Sequence, residues 1–309
     1  MAASCGTSAW RRFLVLGVVA LNVGVVGLAT SSGSTTSSGS TTASSPGVRL
    51  AAGPLPTLEP IFPSESPSPK PSAKPAGPAI APPQDRWALL VGITNYRSPV
   101  HDTVAGAQDV GVVRDTLLRS GWRADHIRVL TDGAATGRAL QDGLSWLASR
   151  STGSTFSLFH YSGHVKQRNG HEYLWPVDNA FYSDTSLTNA IKALRGTSWT
   201  SIAGCEAAGF NDGLASSKRL FTGSSGVTEK SYEYPQWQMS VWTGVLWDQG
   251  LRDRAGDTNG DGKVTVQEAF RWGAPRAATI TKNQRPHGPQ NPEMAGGSGA
   301  LRLDAPIVG

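Results

Sequence analysis

Cysteine is nearly absent from this chain, with two in 309 residues, and one of them, Cys5, lies close to the N-terminus. If the N-terminal segment is removed on export, Cys205 remains alone, so an intramolecular disulfide is not expected. The sequence also lacks a run of lysine and arginine with interleaved aromatic residues, and its net charge of +5 is mild. A nucleic-acid partner is therefore not indicated.

The N-terminus has the pattern of an export signal. Arg11 and Arg12 precede an apolar run that ends in small residues at Ala29. This pattern predicts a signal over residues 1–29, either cleaved after Ala29 or kept as a membrane anchor. We therefore expect the protein to act outside the cytoplasm, secreted or anchored by this segment, and to have no other contact with a membrane.

The segment that follows, residues 30–84, has little apolar periodicity. It is rich first in serine, threonine and glycine and then in proline. Such a composition does not bury enough apolar surface to offset the entropy lost on ordering, so it is typical of a disordered tether. The folded part of the chain is expected over residues 85–309.

Apolar patterning in the folded part alternates between strands and helices. Short apolar runs predict buried strands, and apolar residues at helical spacing predict the helices between them. This alternation is typical of an α/β domain with a largely parallel sheet, in which ligands bind beyond the carboxyl ends of the strands. The predicted strands are 87–93, 126–131, 156–161, 198–203 and 219–223, and the predicted helices are 104–120, 136–147, 186–194 and 240–250.

A histidine and a cysteine each follow a predicted strand. His164 comes just after the strand at 156–161, and Cys205 just after the strand at 198–203. An imidazole can take the proton of a thiol, and the thiolate can then attack a carbonyl carbon. The backbone N–H of Cys205, with one beside His164 at Gly163 or Val165, could bind the resulting oxyanion. The alternative is a buried cysteine that packs as a small apolar side chain.

The other histidines near His164 do not indicate a metal. His160 falls within the predicted strand and is expected to be buried there. His160, His164 and His171 lack the spacing of zinc ligands on a helix or in a knuckle. A redox role for Cys205 has little support either, because no second cysteine in the folded part could act as its resolving partner.

Several short motifs occur in order through the folded part: Ala-Leu-Leu-Val-Gly-Ile-Thr-Asn-Tyr at 88–96, Ala-Gln-Asp-Val at 107–110, Leu-Thr-Asp at 130–132 with Ala-Thr at 135–136, Tyr-Ser-Gly-His at 161–164, Tyr-Leu-Trp-Pro-Val-Asp at 173–178, and Cys205. They resemble the caspase-like cysteine peptidases, in particular the metacaspase-type and bacterial caspase-domain proteins. The resemblance covers most of residues 86–303. It implies a caspase–haemoglobinase fold, a three-layer αβα sandwich around a mostly parallel sheet. It also implies a polypeptide substrate, with His164 as the general base and acid and Cys205 as the nucleophile.

Three positions depart from the pattern of that family. Val165 stands where the family has the glycine that follows the catalytic histidine, and Ala203 stands where metacaspases have an acidic residue that selects basic substrate side chains. Glu206 follows Cys205 directly and brings a negative charge close to the thiol, which disfavours a thiolate unless the carboxylate points away. These departures favour a second hypothesis, in which the domain is catalytically inactive and serves as a calcium-stabilised extracellular binding module.

The calcium in that hypothesis comes from a loop near the C-terminus. Residues 257–268 match the twelve-residue EF-hand loop, with Gly262 at the sharp turn and predicted helices on both sides. Hard oxygen ligands of this kind suit calcium better than zinc. One loop without a pair is expected to be a structural site. The expected ligands are Asp257, Asn259, Asp261, Lys263 through its carbonyl, Thr265 and Glu268.

Overall fold

A six-stranded sheet forms the centre of the protein in the computed structural model, which describes residues 2–3, 85–297 and 301–303. These residues all belong to one of the chain's two compact units, the one made of Met1–Ser8 and Ser72–Gly309. The predicted signal and tether lie outside the described residues, apart from the two-residue strand at Ala2–Ala3. Within the described ranges, no helix is both long and apolar enough to cross a membrane.

The strands of the described residues are, in chain order, β1 (Ala2–Ala3), β2 (Asp85–Gly92), β3 (Ile127–Thr131), β4 (Thr155–Ser162), β5 (Val165–Arg168), β6 (His171–Leu174), β7 (Tyr182–Ser183), β8 (Thr197–Ala203), β9 (Arg219–Gly223), β10 (Tyr232–Tyr234), β11 (Met239–Ser240) and β12 (Glu293–Gly296). The α-helices are α1 (Gly106–Arg119), α2 (Gly137–Arg150), α3 (Asp184–Lys192), α4 (Val241–Thr243) and α5 (Val266–Thr281). A π-helix, Gly244–Arg252, continues α4.

The central sheet has the strand order β3-β2-β4-β8-β9-β12. The first five strands are parallel, and β12 pairs antiparallel with β9 at one edge. These five are the strands predicted from the sequence, so the expectation of an α/β domain with a mostly parallel sheet is confirmed. Because β4 and β8 are neighbours, the residues that follow them emerge side by side.

Both faces of the sheet are covered by helices, which gives three layers. On β2, Leu89 and Val91 belong to the apolar cluster that also contains Leu144 of α2, whereas Leu90 belongs to the cluster that contains Val113 of α1. Successive side chains of a strand point to opposite faces, so a strand that is apolar throughout is buried on both. Burying each of these aliphatic side chains contributes about 1.5–3 kcal/mol to folding.

The strands outside the central sheet were not predicted. β5, β6 and β7 form a small antiparallel sheet that begins directly after His164, and β1, β10 and β11 form another. Each has two to four residues, too few to show alternation in a sequence. The predicted helix at 240–250 is also different in detail, because only its first three residues are α-helical before the π-helix begins.

Candidate active site

His164 and Cys205 lie next to each other at the carboxyl ends of β4 and β8. The parallel register of these strands pairs Ser162 with Ala203, and the Gly163 N–H donates to the Ala203 carbonyl at 3.2 Å. Ser162 and Ala203 are the last residues of their strands, and His164 and Cys205 each follow two positions later. Neighbouring strands are about 4.8 Å apart, so this register brings the backbones of the two residues close together.

The hydrogen bonds of His164 fix which ring nitrogen carries the proton. Nε2 lies 2.7 Å from the carbonyl oxygen of His101. A carbonyl only accepts, so in the neutral ring Nε2 holds the proton and Nδ1 keeps its lone pair. The imidazole is buried and packs between the rings of Tyr96, at 4.6 Å, and Trp175, at 5.9 Å. These contacts suit Nδ1 to accept a proton.

The loop between β2 and α1 supplies two partners of His164 that the sequence analysis missed. Tyr96 accepts a hydrogen bond from the His164 N–H through its hydroxyl, at 2.8 Å, and His101 supplies the carbonyl at Nε2. The loop is itself tied down, because Asp102 accepts from the Tyr96 N–H and Asp132 accepts from the N–H of Thr94. Tyr96 belongs to a motif that the resemblance rests on, but a backbone carbonyl such as that of His101 leaves no trace in a sequence.

Gly163 is required where the loop meets β4. A Cβ at this position would lie 2.6 Å from the Tyr96 hydroxyl oxygen, a distance that no ordinary side chain tolerates. Any larger residue would therefore push Tyr96 off the backbone of His164. The end of β4 is held from its other side by buried Asp109, which accepts from the Ser162 hydroxyl at 2.6 Å and from the Ser240 N–H at 2.9 Å.

Cys205 is fully buried and is disulfide-bonded in this structure. The expectation that it lacks a partner applies to the chain without its N-terminal segment, so the full chain does not test it. The sequence contains one other cysteine, Cys5, which lies outside the described residues. The Ser231 N–H points at the Cys205 sulfur, at 3.4 Å. Because the nucleophile of a cysteine enzyme is the thiolate, Cys205 must be reduced before it can react.

The two candidate oxyanion donors beside His164 differ in their backbone contacts. The Gly163 N–H is engaged by the Ala203 carbonyl, so in this conformation it is not directed at a substrate. The Trp175 N–H donates to the His164 carbonyl, which places Val165, the next residue, opposite Leu174 in a non-hydrogen-bonded pair. The Val165 N–H therefore points away from β6. Of the two residues, Val165 remains the candidate donor.

The other two positions that depart from the family pattern are Ala203 and Glu206, and each has defined contacts in the structure. Ala203 is buried in the apolar core, and its methyl group carries no charge that could select a basic substrate side chain. Glu206 has a left-handed backbone, with φ of 49°, and its carboxylate lies 2.6 Å from the Lys230 ammonium. The positive charge of Lys230 offsets the negative charge that Glu206 brings to the residue next to Cys205.

We predict that Lys230→Ala slows the reaction of reduced Cys205 with a thiol reagent at pH 7 by roughly threefold to tenfold, because an unpaired carboxylate then disfavours the thiolate. The measurement is the labelling rate as a function of pH. Lys230→Arg should label at the wild-type rate. The double variant Glu206→Gln/Lys230→Ala should also recover it, and equal slowing in the double variant would show that charge is not the cause.

The remaining histidines of the first analysis are held apart from His164. His160 is buried within β4, as expected, with Nδ1 3.2 Å from the Ser201 hydroxyl oxygen, and burial lowers the pKa of His160 to about 3. His171 is in β6 and pairs with Asp184 at 3.0 Å. Across the described ranges, no group of three or more histidine, cysteine, aspartate or glutamate side chains is placed to hold a metal ion.

The loop at 257–268 follows the π-helix, and its last three residues form the start of α5, so a helix flanks it on each side. Asp257 accepts hydrogen bonds from loop N–H groups, among them that of Gly262 at 3.0 Å, and Asp261 accepts from the Lys263 N–H at 2.8 Å. Glu268 contacts the side-chain amide of Asn259 at 2.6 Å and forms a capping box with Thr265. The glycines at 260 and 262 have positive φ, as a tight loop requires.

Comparison with protein families agrees with this fold. The family model described as "Caspase domain" matches residues 85–285, which is well over half of the chain. The chain therefore belongs to the caspase-domain family of cysteine peptidases. The resemblance noted in the sequence is confirmed.

Individual relatives match over shorter stretches. Metacaspase-1 of Lodderomyces elongisporus is 36% identical over 86 residues, which make up 26% of this chain and 19% of that protein. Metacaspase-1 of Candida albicans is 35% identical over 86 residues, with the same coverage. The aligned stretch thus spans about a fifth of the length of these curated relatives. The crystal structure of protein GSU0716 from Geobacter sulfurreducens covers 69% of this chain and 94% of its own, with a TM-score of 0.52 and 14% identity, a likeness of fold.

Proposed function

We propose that this protein is a cysteine endopeptidase that hydrolyses peptide bonds with the dyad of Cys205 and His164. The observation that carries the proposal is the register of β4 and β8, which sets the two residues side by side at the carboxyl end of the sheet. The hydrogen bond from Nε2 to the His101 carbonyl supports the role of Nδ1 as the base. The metacaspase relatives favour a peptidase over an inactive binding module.

The geometry suits the following reaction once Cys205 is reduced. Nδ1 of His164 takes the proton of the thiol, and the thiolate attacks the carbonyl carbon of the substrate. The C–N bond then breaks as the imidazolium gives its proton to the leaving amine, and a thioester with Cys205 remains. His164 next takes a proton from water, whose oxygen attacks the thioester and releases the acid and the thiol. The Val165 N–H is our candidate to bind the oxyanion in both halves.

The proposal is tested with the full chain after reduction of its disulfide. Internally quenched peptides with randomised sequences are incubated with the reduced protein, and the products are identified by mass spectrometry. Cleavage at defined bonds that stops after alkylation of Cys205 supports the proposal. A folded, reduced protein that cleaves none of the peptides would contradict it.

We also propose that the loop at 257–268 binds calcium. Its support is the match to the EF-hand spacing, the helices on either side, and the set of oxygen donors. The carboxylates of this loop are not gathered to hold a metal ion in this structure. Asp257, Asn259, Asp261 and Glu268 would therefore have to turn inward to hold the ion through their side chains. The bound ion would neutralise carboxylates that otherwise rely on the loop's own N–H groups, and so would stabilise the junction of the π-helix with α5.

We predict that calcium at 100 times its dissociation constant stabilises the wild-type protein by about 2–3 kcal/mol, because the ion binds the folded loop. Glu268→Gln should lose most of this gain, since an amide is a weaker ligand than a carboxylate. Glutamine can still complete the capping box with Thr265, so α5 itself is spared. Thermal unfolding in calcium and in chelator measures the gain, and equal melting temperatures in both would contradict a calcium site.

The place of action is a further proposal, which rests on the sequence of residues 1–84. An apolar segment after two arginines, followed by a long tether, would carry the folded domain out of the cytoplasm. We propose that the peptidase acts there, secreted or anchored. Fractionation of cells that express the full chain, with detection of the folded domain by antibody, would test this.

A further inference from the structure

A group of ring-bearing side chains extends from His164 across the small sheet that follows it. The group, which we name the aromatic shelf, consists of Tyr173, Trp175 and Phe181. The Trp175 ring lies 5.9 Å from the imidazole of His164, and the Phe181 ring lies 5.1 Å from that of Trp175. Tyr173 meets Phe181 edge to face at 6.3 Å. The rings thus form a continuous apolar path away from the candidate general acid.

The shelf lies on the outer face of its sheet. Val165 and Leu174 are opposite each other and are buried, so they face the core. Their neighbours Lys166 and Tyr173 are also opposite each other and point to the other face. The Lys166 ammonium lies 5.8 Å from the centre of the Trp175 ring, which places Trp175 beside this outer face.

The outer end of the shelf is exposed. Phe181 has 44% of its surface open to solvent and is one of the few large apolar side chains so exposed in the described part of the chain. Trp175 is held in place beneath it, because its indole N–H donates to the Asn179 side-chain oxygen at 2.7 Å. A rigid indole with an exposed phenyl ring on it makes an apolar surface that a side chain of a partner could cover.

The chemistry of His164 indicates which partner lies there. In the proposed reaction His164 gives its proton to the leaving amine, so the half of the substrate that departs begins at the imidazole. Of the two rings that flank the imidazole, Tyr96 and Trp175 are both buried, and Nε2 meets the His101 carbonyl. Trp175 joins it on the side that leads to the exposed Phe181. The shelf is therefore an apolar path that begins beside the imidazole and reaches solvent at Phe181, where the departing half of the substrate could contact it.

We propose that the aromatic shelf selects substrates with a large apolar residue just after the bond that is cut. This inference rests on the proposed peptidase function and adds a substrate preference to it. A side chain such as phenylalanine or leucine in the first two positions after that bond would cover Phe181 and the edge of Trp175. Small polar residues would leave the exposed face of Phe181 in water.

The test compares two kinds of substrate that share the same mixture of residues before the cut bond. One kind ends in an aminocoumarin, which has no residues after the bond, and the other continues with phenylalanine and leucine or with glycine and serine. We expect wild-type protein to have a kcat/KM about tenfold higher for the phenylalanine and leucine peptides than for the glycine and serine peptides. Phe181→Ala/Tyr173→Ala should reduce this ratio to about one to two.

The matched control is Val129→Ala. Val129 is also an exposed apolar residue, at 36%, but it lies on β3 at the edge of the central sheet, and its loss should leave the ratio at the wild-type value. Because the readout is a ratio, it does not depend on how much of each variant is folded. A wild-type ratio near one, or an unchanged ratio in the double variant, would refute the role of the shelf in substrate selection. Cleavage of the coumarin substrates would then still support the peptidase function. If neither kind is cleaved, the peptidase function itself fails and the shelf with it.

Discussion

Replacing either Cys205 or His164 with alanine should lower peptide hydrolysis by about a thousandfold or more, because the members of a nucleophile–base pair act as a unit. The loss of Cys205 removes the atom that attacks the carbonyl. The loss of His164 removes both the base that forms the thiolate and the acid that protonates the amine. The measurement is kcat/KM for a peptide identified in the randomised set, with reduced protein throughout.

Two controls separate this effect from a loss of folding. Cys205→Ser keeps the shape of the site and a weaker nucleophile, and it should be nearly as inactive as the alanine variant. His160→Phe changes a buried histidine four residues before His164. It should keep hydrolysis at neutral pH, because His160 lies within β4 and is buried in the interior of the protein. Substantial turnover in Cys205→Ala or His164→Ala, with folding verified by circular dichroism, would refute the dyad.

Acid should destabilise the protein through His160. Burial lowers the pKa of His160 to about 3 in the folded state, against 6.5 for an unperturbed histidine. As the pH falls below about 6.5, the unfolded chain takes up a proton that the folded chain cannot, so stability is lost between about pH 6.5 and pH 3. From pH 6.5 to pH 4.5 the free energy of unfolding should drop by about 2–3 kcal/mol from this residue alone.

The environment of His160 explains why the neutral ring is favoured. Its Nδ1 contacts the Ser201 hydroxyl, its ring packs edge to face on Trp247 at 5.8 Å, and Nε2 has no hydrogen-bond partner. Several carboxyl groups act in the opposite direction, because burial raises the pKa of Asp109, Glu172, Glu233 and Asp248. Groups of that kind bind protons more tightly when folded, and so they add stability as the pH falls.

The comparison of wild type with His160→Phe isolates the histidine from those carboxyl groups. Urea unfolding at pH 7, 6, 5 and 4.5 gives the free energy of unfolding of each protein. The wild-type curve should fall more steeply than that of the variant, by about 1.4 kcal/mol per pH unit below pH 6. The control variant His287→Gln removes an exposed histidine and should keep the wild-type slope. Parallel curves for wild type and His160→Phe would contradict the account.

The central sheet was predictable because its strands are apolar along their whole length. β2 is buried on both faces from Ala88 to Gly92, and such a run has one natural place in an α/β fold, the middle of a parallel sheet. The N-cap of α2 was also predictable, since Thr136 accepts from the Ala139 N–H. The short strands around the site could not be predicted, because their pairing depends on tertiary contacts such as that of Val165 with Leu174.

The candidate site was only partly visible in the sequence. His164 and Cys205 could be found because each follows a predicted strand, and because a thiol nucleophile and its imidazole base require these residue types. The carbonyl of His101 could not, since backbone groups are present at every residue and the loop alone decides which one reaches Nε2. The pairing of Glu206 with Lys230 could not be predicted either, because the two residues are far apart in the sequence and only the fold brings them to 2.6 Å.

The most direct test of the dyad is the rate at which reduced Cys205 reacts with a peptide-like thiol reagent at neutral pH. Our account predicts that the full chain, once reduced, labels at Cys205 much faster than a free thiol such as glutathione. It further predicts that His164→Ala reduces that rate to the level of the free thiol, because the base that forms the thiolate is gone. Labelling of the folded wild-type protein no faster than glutathione, or equal rates in wild type and His164→Ala, would contradict it.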